Sequence, residues 1–168
     1  MRAGPVAAGL TGRPGCGMSP PRRTRHPNNP EAPAGMIDHR DALIYTMVLV
    51  SAADRDMTDA ELGAIGEVVQ HWPVFRNYDS ERLTETARGC AEMLNSDDGL
   101  DRTLETIVAS LPERLRETAY ALACDVAAAD GRASQEELRL LELLRHGLDI
   151  GRLEAAAIER GVRARHMT

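Results

Sequence analysis

The sequence predicts an all-α fold, a bundle of roughly seven helices with an internal pseudo-two-fold repeat of helical hairpins. Three observations predict it. From Met36 onward, apolar residues recur at helical spacing, and no segment alternates as a half-buried strand does. Start and stop signals divide this region into segments of helical length. A short motif also occurs twice at one offset, which is typical of a duplicated structural unit.

The repeated motif has acidic residues at the same two places in each copy. Its first copy is Ala52-Ala53-Asp54, Thr58 and Glu61-Leu62, and its second is Ala128-Ala129-Asp130, Ser134 and Glu137-Leu138. Equivalent residues are 76 positions apart throughout, without a gap. This regularity predicts that the equivalent carboxylates meet near a shared axis.

The first hairpin is predicted from helices over 38–53 and 58–71. The first of these carries an apolar stripe that is too short and too flanked by charge to span a membrane. Thr58 and Glu61 form a capping box that opens the second, because each side chain can accept a hydrogen bond from the other residue's backbone N–H. Trp72-Pro73 ends that helix, since a residue before proline disfavours helical backbone.

Two connecting helices follow, over 80–95 and 100–110. The cluster Ser96-Asp97-Asp98-Gly99 between them predicts a turn, because Ser, Asp and Gly are typical turn residues. The connecting helices therefore separate the first hairpin from the second.

The second hairpin is predicted from helices over 112–129 and 134–146. Pro112 occupies a favoured first helical position, and Ser134 with Glu137 forms another capping box. Gly147 is expected to close the hairpin's second helix in a left-handed cap. A seventh helix is predicted over 150–162. The basic tail that follows, 163–168, is expected to fray.

Composition and charge argue against several classes of function. From Met36 onward 15 Arg face 25 acidic residues, a balance that opposes binding to a nucleic-acid backbone and is compatible with binding a cation. Aromatic residues make up only 3% of the chain, too few for platforms that stack bases. The three cysteines, Cys16, Cys90 and Cys124, form neither a disulfide framework nor a zinc-ligand pair. A reducing cytoplasm is therefore expected, with Cys90 and Cys124 buried and inert.

Residues 1–35 are expected to form a disordered tail, rich in Pro, Gly and Arg. They contain seven of the nine prolines and the run Arg22-Arg23-Thr24-Arg25. Such a segment cannot bury enough apolar surface to offset the entropy of ordering it. It also lacks the apolar stretch of a secretory signal. A basic arm for nucleic acid and a mis-assigned start codon, with translation beginning at Met36, are the alternatives.

Removing residues 1–35 is expected to leave the fold intact, because the apolar periodicity begins only at Ile37. A chain that starts at Met36 should melt at the temperature of the full chain, as followed by circular dichroism. A large loss of stability on truncation would instead show that the segment packs on the core.

Asp54 and Asp130 are the strongest candidates for cation ligands. Each is predicted at the C-terminal end of a helix, where exposed carbonyl groups disfavour an acid by about 0.3 to 1 kcal/mol. A turn role is one explanation. A hard divalent cation is the other, because it binds carboxylate and carbonyl oxygens. Glu61 and Glu137 follow seven positions later and can converge on the same ion, although their capping roles also account for them.

Known calcium loops and catalytic motifs do not match. Neither copy is an EF-hand, because the twelfth position, which should be Glu, is Ile65 in one and Leu141 in the other. No phosphate-binding loop, nucleophile elbow or zinc-protease motif is present. Asp125 is a further candidate acid, with a solvated position or an Arg partner as alternatives. The remaining candidate ligands lie at predicted helix ends, where His usually contacts the last carbonyls: His39, His71 and His146.

The second motif copy and its surroundings resemble the C-terminal half of the TerB-like tellurite-resistance family. The resemblance is carried by the run 121–138, which includes an Ala-Asp-Gly turn at 129–131 followed by Ser134 and Glu137 at the family's spacing. The first copy resembles the N-terminal half, and the whole resemblance covers about 37–161. The first copy departs from the family in having Arg55 where Gly is preferred.

The resemblance implies an all-helical domain over 36–168 that acts in a cytoplasmic tellurite or stress-resistance system without enzymatic activity. It also implies a divalent-cation site, for Ca²⁺, Mg²⁺ or Zn²⁺, formed by Asp54, Glu61, Asp130 and Glu137. An unidentified protein partner is expected and a homodimer is a further candidate, whereas nucleic-acid binding and membrane insertion are not expected.

Two other functions remain open from the sequence. A structural helical interaction domain without metal is the main alternative, with the motifs acting only as caps and turns. A hydrolase is less favoured, and it would require a deep pocket in which a metal ion keeps an open position to activate water.

Overall fold

The fold is taken from a computed structural model, which describes residues 36–54, 59–129 and 133–167, with the backbone alone at Asp54 and Ala60. Within these ranges the chain forms seven α-helices and no β-strand. The predicted all-α fold is therefore confirmed. The pseudo-two-fold relation between its halves stays a prediction, as does the boundary between the tail 1–35 and the helical domain 36–168.

Each predicted helix is present, with ends shifted by a few residues. The α-helices are α1 His39–Ser51, α2 Asp59–His71, α3 Leu83–Leu94, α4 Gly99–Ser110, α5 Arg116–Ala127, α6 Gln135–Gly147 and α7 Arg152–Arg165. Short 3₁₀ helices extend or connect them at Ala52–Asp54, Pro73–Phe75, Ser80–Arg82 and Glu113–Leu115. Pro112 is the residue before the last of these 3₁₀ helices, with an extended ψ of 148°. The prediction that Pro112 is the first residue of the fifth α-helix is therefore wrong.

Helix α1 lies at the centre of the bundle. Every residue from Asp41 to Ser51 is buried, and α1 contacts helices α2 to α6. The sequence predicts burial of one apolar stripe, whereas in the structure the helix is enclosed on all sides. Its largest fully buried apolar side chains include Leu43, Ile44, Met47, Val48 and Val50.

The end of α6 differs from its prediction. Gly147 is still helical, and the left-handed backbone occurs at Asp149, with φ 54°. The N–H groups of Asp149 and Ile150 donate to the carbonyls of His146 and Arg145, in the hydrogen-bond pattern of a Schellman cap. Extending the helix to Gly147 lets the following Leu148 pack fully buried in the core. The glycine serves close packing on α4, since an added Cβ would lie 3.3 Å from Val108 Cγ2.

Cys90 and Cys124 are buried in the core, as predicted. Burial raises the pKa of each thiol to about 12, so the reactive thiolate is strongly disfavoured at neutral pH. Cys16 lies outside the described residues. Across the part of the chain that the structure describes, no helix has the length and apolar character needed to cross a bilayer.

Candidate cation site

Both copies of the acidic motif border one cavity of about 700 Å³. The first copy contributes Ala53 and Glu61 to its lining, and the second contributes Ala129 and Glu137. Two of the four predicted ligands, Glu61 and Glu137, therefore face a common space. The other two are not placed, because the side chain of Asp54 and the whole of Asp130 lie outside the described part of the chain.

The second motif copy positions its glutamate through the predicted capping box. The Ser134 Oγ accepts a hydrogen bond from the Glu137 N–H at 3.1 Å, and the Glu137 Oε2 accepts one from the Ser134 N–H at 2.7 Å. These reciprocal bonds hold the Glu137 carboxylate at the first turn of α6, where the helix dipole favours negative charge. The equivalent box in the first copy requires Thr58, which the structure does not describe.

One wall of the cavity is apolar. Helix α2 contributes Ile65 and Val68, the residue after it contributes the half-buried Trp72, and α5 contributes Val126. Trp72 is the single tryptophan of the chain, so its fluorescence reports on this cavity.

Asp125 also lines the cavity and forms an ion pair with Arg165. The Arg165 Nη2 donates to both carboxylate oxygens, at 2.6 and 2.7 Å, and His166 Nε2 lies 3.3 Å from Oδ1. Of the alternatives left open for Asp125, the Arg partner is thus the one observed. The predicted fraying from residue 163 is wrong for Arg163 to Arg165, because α7 continues to Arg165 and its last turn is held against α5 by this contact.

Sequence reasoning missed Arg165 and Trp72 as cavity residues. An acid within a mostly apolar helix indicates a nearby positive charge, because a buried carboxylate is costly unless it is paired. Asp125 carried that signal. Arg165 is 40 residues away in sequence, however, so no local spacing could select it among the other arginines.

The three histidines considered as ligands lie elsewhere. His71 Nδ1 is 2.7 Å from the Glu67 carbonyl oxygen in the last turn of α2, which matches the predicted helix-end contact. His146 contacts Arg145, with 2.8 Å between Nε2 and Nη2, and His39 lies 3.7 Å from Asp38 at the start of α1. None of the three is among the cavity-lining residues that the structure describes.

The described residues test the cation prediction only in part. Among them, no group of three or more His, Cys, Asp or Glu side chains is arranged to hold a metal ion. The cavity offers carboxylate oxygens from Glu61, Asp125 and Glu137, and one ring nitrogen donor from His166, which lies beside Asp125. Because the carboxylate oxygens outnumber the one ring nitrogen donor, this donor set fits a hard cation such as Ca²⁺ or Mg²⁺ better than Zn²⁺, which favours nitrogen and sulfur ligands. Further ligands would have to come from Asp54 and Asp130.

Comparison with known proteins identifies a family. The model of the family described as "Tellurite resistance protein TerB" matches residues 40–160. No curated protein and no solved structure gives a significant match. The matched range includes both motif copies, the cavity-lining glutamates and most of the helical bundle. Because this range covers well over half of the 168 residues, the chain belongs to the TerB family.

Proposed function

We propose that the chain is a non-enzymatic module that binds a divalent cation and acts in a cytoplasmic tellurite or stress-resistance system. One observation above all supports this proposal: both motif copies border the same cavity, with a glutamate from each in its lining. Ala53 and Ala129 also border it, and they immediately precede Asp54 and Asp130 in the sequence. We take this cavity as the place where the ion binds.

The charge of the cavity supports a cation as its ligand. Its lining contains four acidic residues, one arginine and one histidine: Glu61, Glu67, Asp125, Glu137, Arg165 and His166. Of the acids, Glu67 is largely exposed to solvent. Carboxylates that border one cavity repel one another. A bound divalent cation would relieve that repulsion. In this role Asp130, Glu137, Asp54 and Glu61 would supply oxygen ligands, and no covalent chemistry is required of the protein.

Cation binding is expected to stabilise the folded chain and to alter Trp72 fluorescence. An ion that binds only the folded state at a hundredfold excess over its Kd contributes about 2.7 kcal/mol. Titration with Ca²⁺, Mg²⁺ and Zn²⁺ should therefore raise the melting temperature, with Ca²⁺ or Mg²⁺ more effective than Zn²⁺. Asp130→Asn should abolish most of this increase and, in the absence of metal, should be neutral or slightly stabilising because it removes repulsion.

The matched control is Asp97→Asn, which changes an exposed acid in the turn between α3 and α4 and is not among the cavity-lining residues. This variant should keep the full response to the cation. If the wild type responds to none of the three ions, or if both variants respond as the wild type does, the proposed site is wrong.

A structural interaction domain without metal would then be the preferred function. In that case the motif acids act as caps and turn residues, as the Ser134–Glu137 pair already does. The binding partner would be another protein or a second copy of the chain. Sedimentation equilibrium with and without Ca²⁺ would distinguish a cation-dependent homodimer from a monomer that awaits a different partner.

A further inference from the structure

We propose that the cleft between α6 and α7 is the surface through which two copies of this chain associate. The cleft has a volume of about 510 Å³, and α5, on which both helices pack, contributes to its lining. Among the described residues, it shares only His166 with the cavity that the motif acids border. This association goes beyond the proposed cation binding and does not depend on it.

The interior of the cleft is apolar. Tyr120 and Ala127 of α5 line it and are buried, as are Leu141 of α6 and Val162 of α7. The hydrophobic core therefore continues up to the cleft between the two helices. An apolar centre surrounded by polar residues is the usual arrangement of a protein–protein interface.

Two large apolar side chains that line the cleft are exposed. Leu138 of α6 is 47% exposed, and Met167, which follows α7, is 72% exposed. Five large apolar residues are exposed in the part of the chain that the structure describes, and two of them border this one cleft. Apolar surface collected in this way marks an interaction site. Methionine suits such a site because its flexible side chain adapts to the opposing surface.

The charges around the cleft cancel, in contrast to the rest of the domain. Helix α6 contributes Glu142 and Arg145 to the lining, and α7 contributes Glu159 and Arg163. From Met36 onward, however, 15 Arg face 25 acidic residues. Two such chains repel each other through their overall negative charge. Two facing clefts add nothing to this repulsion, because their glutamates and arginines balance.

The distribution of these charges favours a second copy as the occupant. A two-fold symmetric interface uses the same patch on both copies, so the patch must be complementary to itself. Each wall of the cleft carries one acid and one arginine, so an arginine of one copy can face an acid of the other whether like or unlike walls meet. Arg163 is exposed and has no ion-pair partner among the described residues, which leaves it available for such a contact.

Sedimentation velocity of the full chain in the presence of EDTA tests the proposal. At concentrations up to about 1 mM, the wild type should form a reversible dimer with twice the 18.3 kDa mass of one copy. Leu138→Glu should raise the dissociation constant of the dimer by about tenfold or more, because it places a charge in the apolar centre of the contact. The control is Leu153→Glu, the same change at a position of α7 that is 82% exposed and does not line the cleft. That control should leave the dissociation constant unchanged.

A second measurement uses the wild-type chain and does not depend on how any variant folds. In an NMR spectrum of chain labelled at the methionine methyl groups, the Met167 signal should shift as the protein concentration rises. The signal of Met36, which is 38% exposed and does not line the cleft, should stay in place.

A full chain that stays monomeric would overturn the proposal and leave the cleft to residues 1–35 or to a different protein. A dimer that Leu138→Glu and Leu153→Glu weaken equally, or that forms without a shift of the Met167 signal, would overturn it as well, because such a dimer uses another surface. Since EDTA removes divalent ions, each of these results is separate from the outcome of the cation titration.

Discussion

Replacing Asp41 by alanine is expected to lower the free energy of unfolding by about 2 to 3 kcal/mol. Asp41 is only 8% exposed and lies on the central helix α1. Its Oδ1 accepts a hydrogen bond from the Tyr78 hydroxyl at 2.9 Å, and its Oδ2 accepts one from the Arg82 Nη2 at 3.0 Å. Alanine would leave both donors without this acceptor, and the cost of unsatisfied, partly buried polar groups accounts for most of the loss.

The Tyr78 hydroxyl remains a donor throughout the neutral range. Burial is the main cause that raises the pKa of Tyr78 to about 12, so the phenol stays protonated and can donate to the Asp41 carboxylate. The same hydroxyl lies 3.1 Å from Thr86 Oγ1. The network therefore connects α1 with both the segment before α3 and α3 itself.

Urea unfolding followed by circular dichroism would measure the effect of Asp41→Ala. Glu105→Ala, at an exposed position in the interior of α4, is the control and should change the stability by less than about 0.5 kcal/mol. Tyr78→Phe should lower the free energy of unfolding by an intermediate amount, about 1 kcal/mol, since it removes the hydroxyl but keeps the ring. If Asp41→Ala lowers the free energy of unfolding no more than Glu105→Ala does, the network does not stabilise the bundle.

The helices of this fold could be predicted because their signals are local. The Ser134–Glu137 capping box, the turn at 96–99 and the Trp72-Pro73 stop each act within about four residues, and the structure has each of them. Helix starts and ends are set by such short-range hydrogen bonds and backbone preferences.

The wrong start of the fifth helix at Pro112 was a local error, whereas most other features that the sequence did not predict depend on tertiary packing. The burial of α1 on all sides did have a local signal, because residues 42–50 are apolar apart from Thr46 and a helix that is apolar all round is a buried one. In the Asp41 network, Tyr78 is 37 positions and Arg82 is 41 positions away from Asp41 in the sequence. No local sequence pattern predicts partners at such distances. Gly147 shows the same limit, because its proximity to Val108 on α4 gives another reason for a glycine than a left-handed cap.

Only the part of the candidate site that belongs to the repeated motif could be predicted from the sequence. An offset of 76 residues between equivalent acids indicated that Glu61 and Glu137 would face one place, and both line the same cavity. The apolar wall with Trp72 and the counter-charge of Arg165 come from elements outside the repeated motif. A repeat relates only residues that occur in both copies, so it cannot predict residues such as Trp72 and Arg165 that lie outside the motif.

Replacing Gly99 by alanine is expected to destabilise the fold by about 2 to 3 kcal/mol, close to the effect of Asp41→Ala. Gly99 is the buried first residue of α4 and follows Asp98, which has a left-handed φ of 57°. A Cβ at Gly99 would lie 2.4 Å from the Met93 carbonyl oxygen and 2.5 Å from that of Leu94. Both obstacles are backbone atoms at the end of α3, so no side-chain rotation can relieve the clash and the whole turn must move.

The informative comparison is Gly63→Ala, the same chemical change in helix α2. An added Cβ at Gly63 would have no heavy atom within 4 Å, so alanine gains its helix propensity there without a clash and should stabilise the chain by about 1 kcal/mol. The melting temperature and the urea midpoint should therefore fall for Gly99→Ala and rise for Gly63→Ala. If Gly99→Ala proves neutral or stabilising as well, α4 does not need to approach the end of α3 this closely, and the tight turn at 96–99 is not a determinant of how the two connecting helices pack.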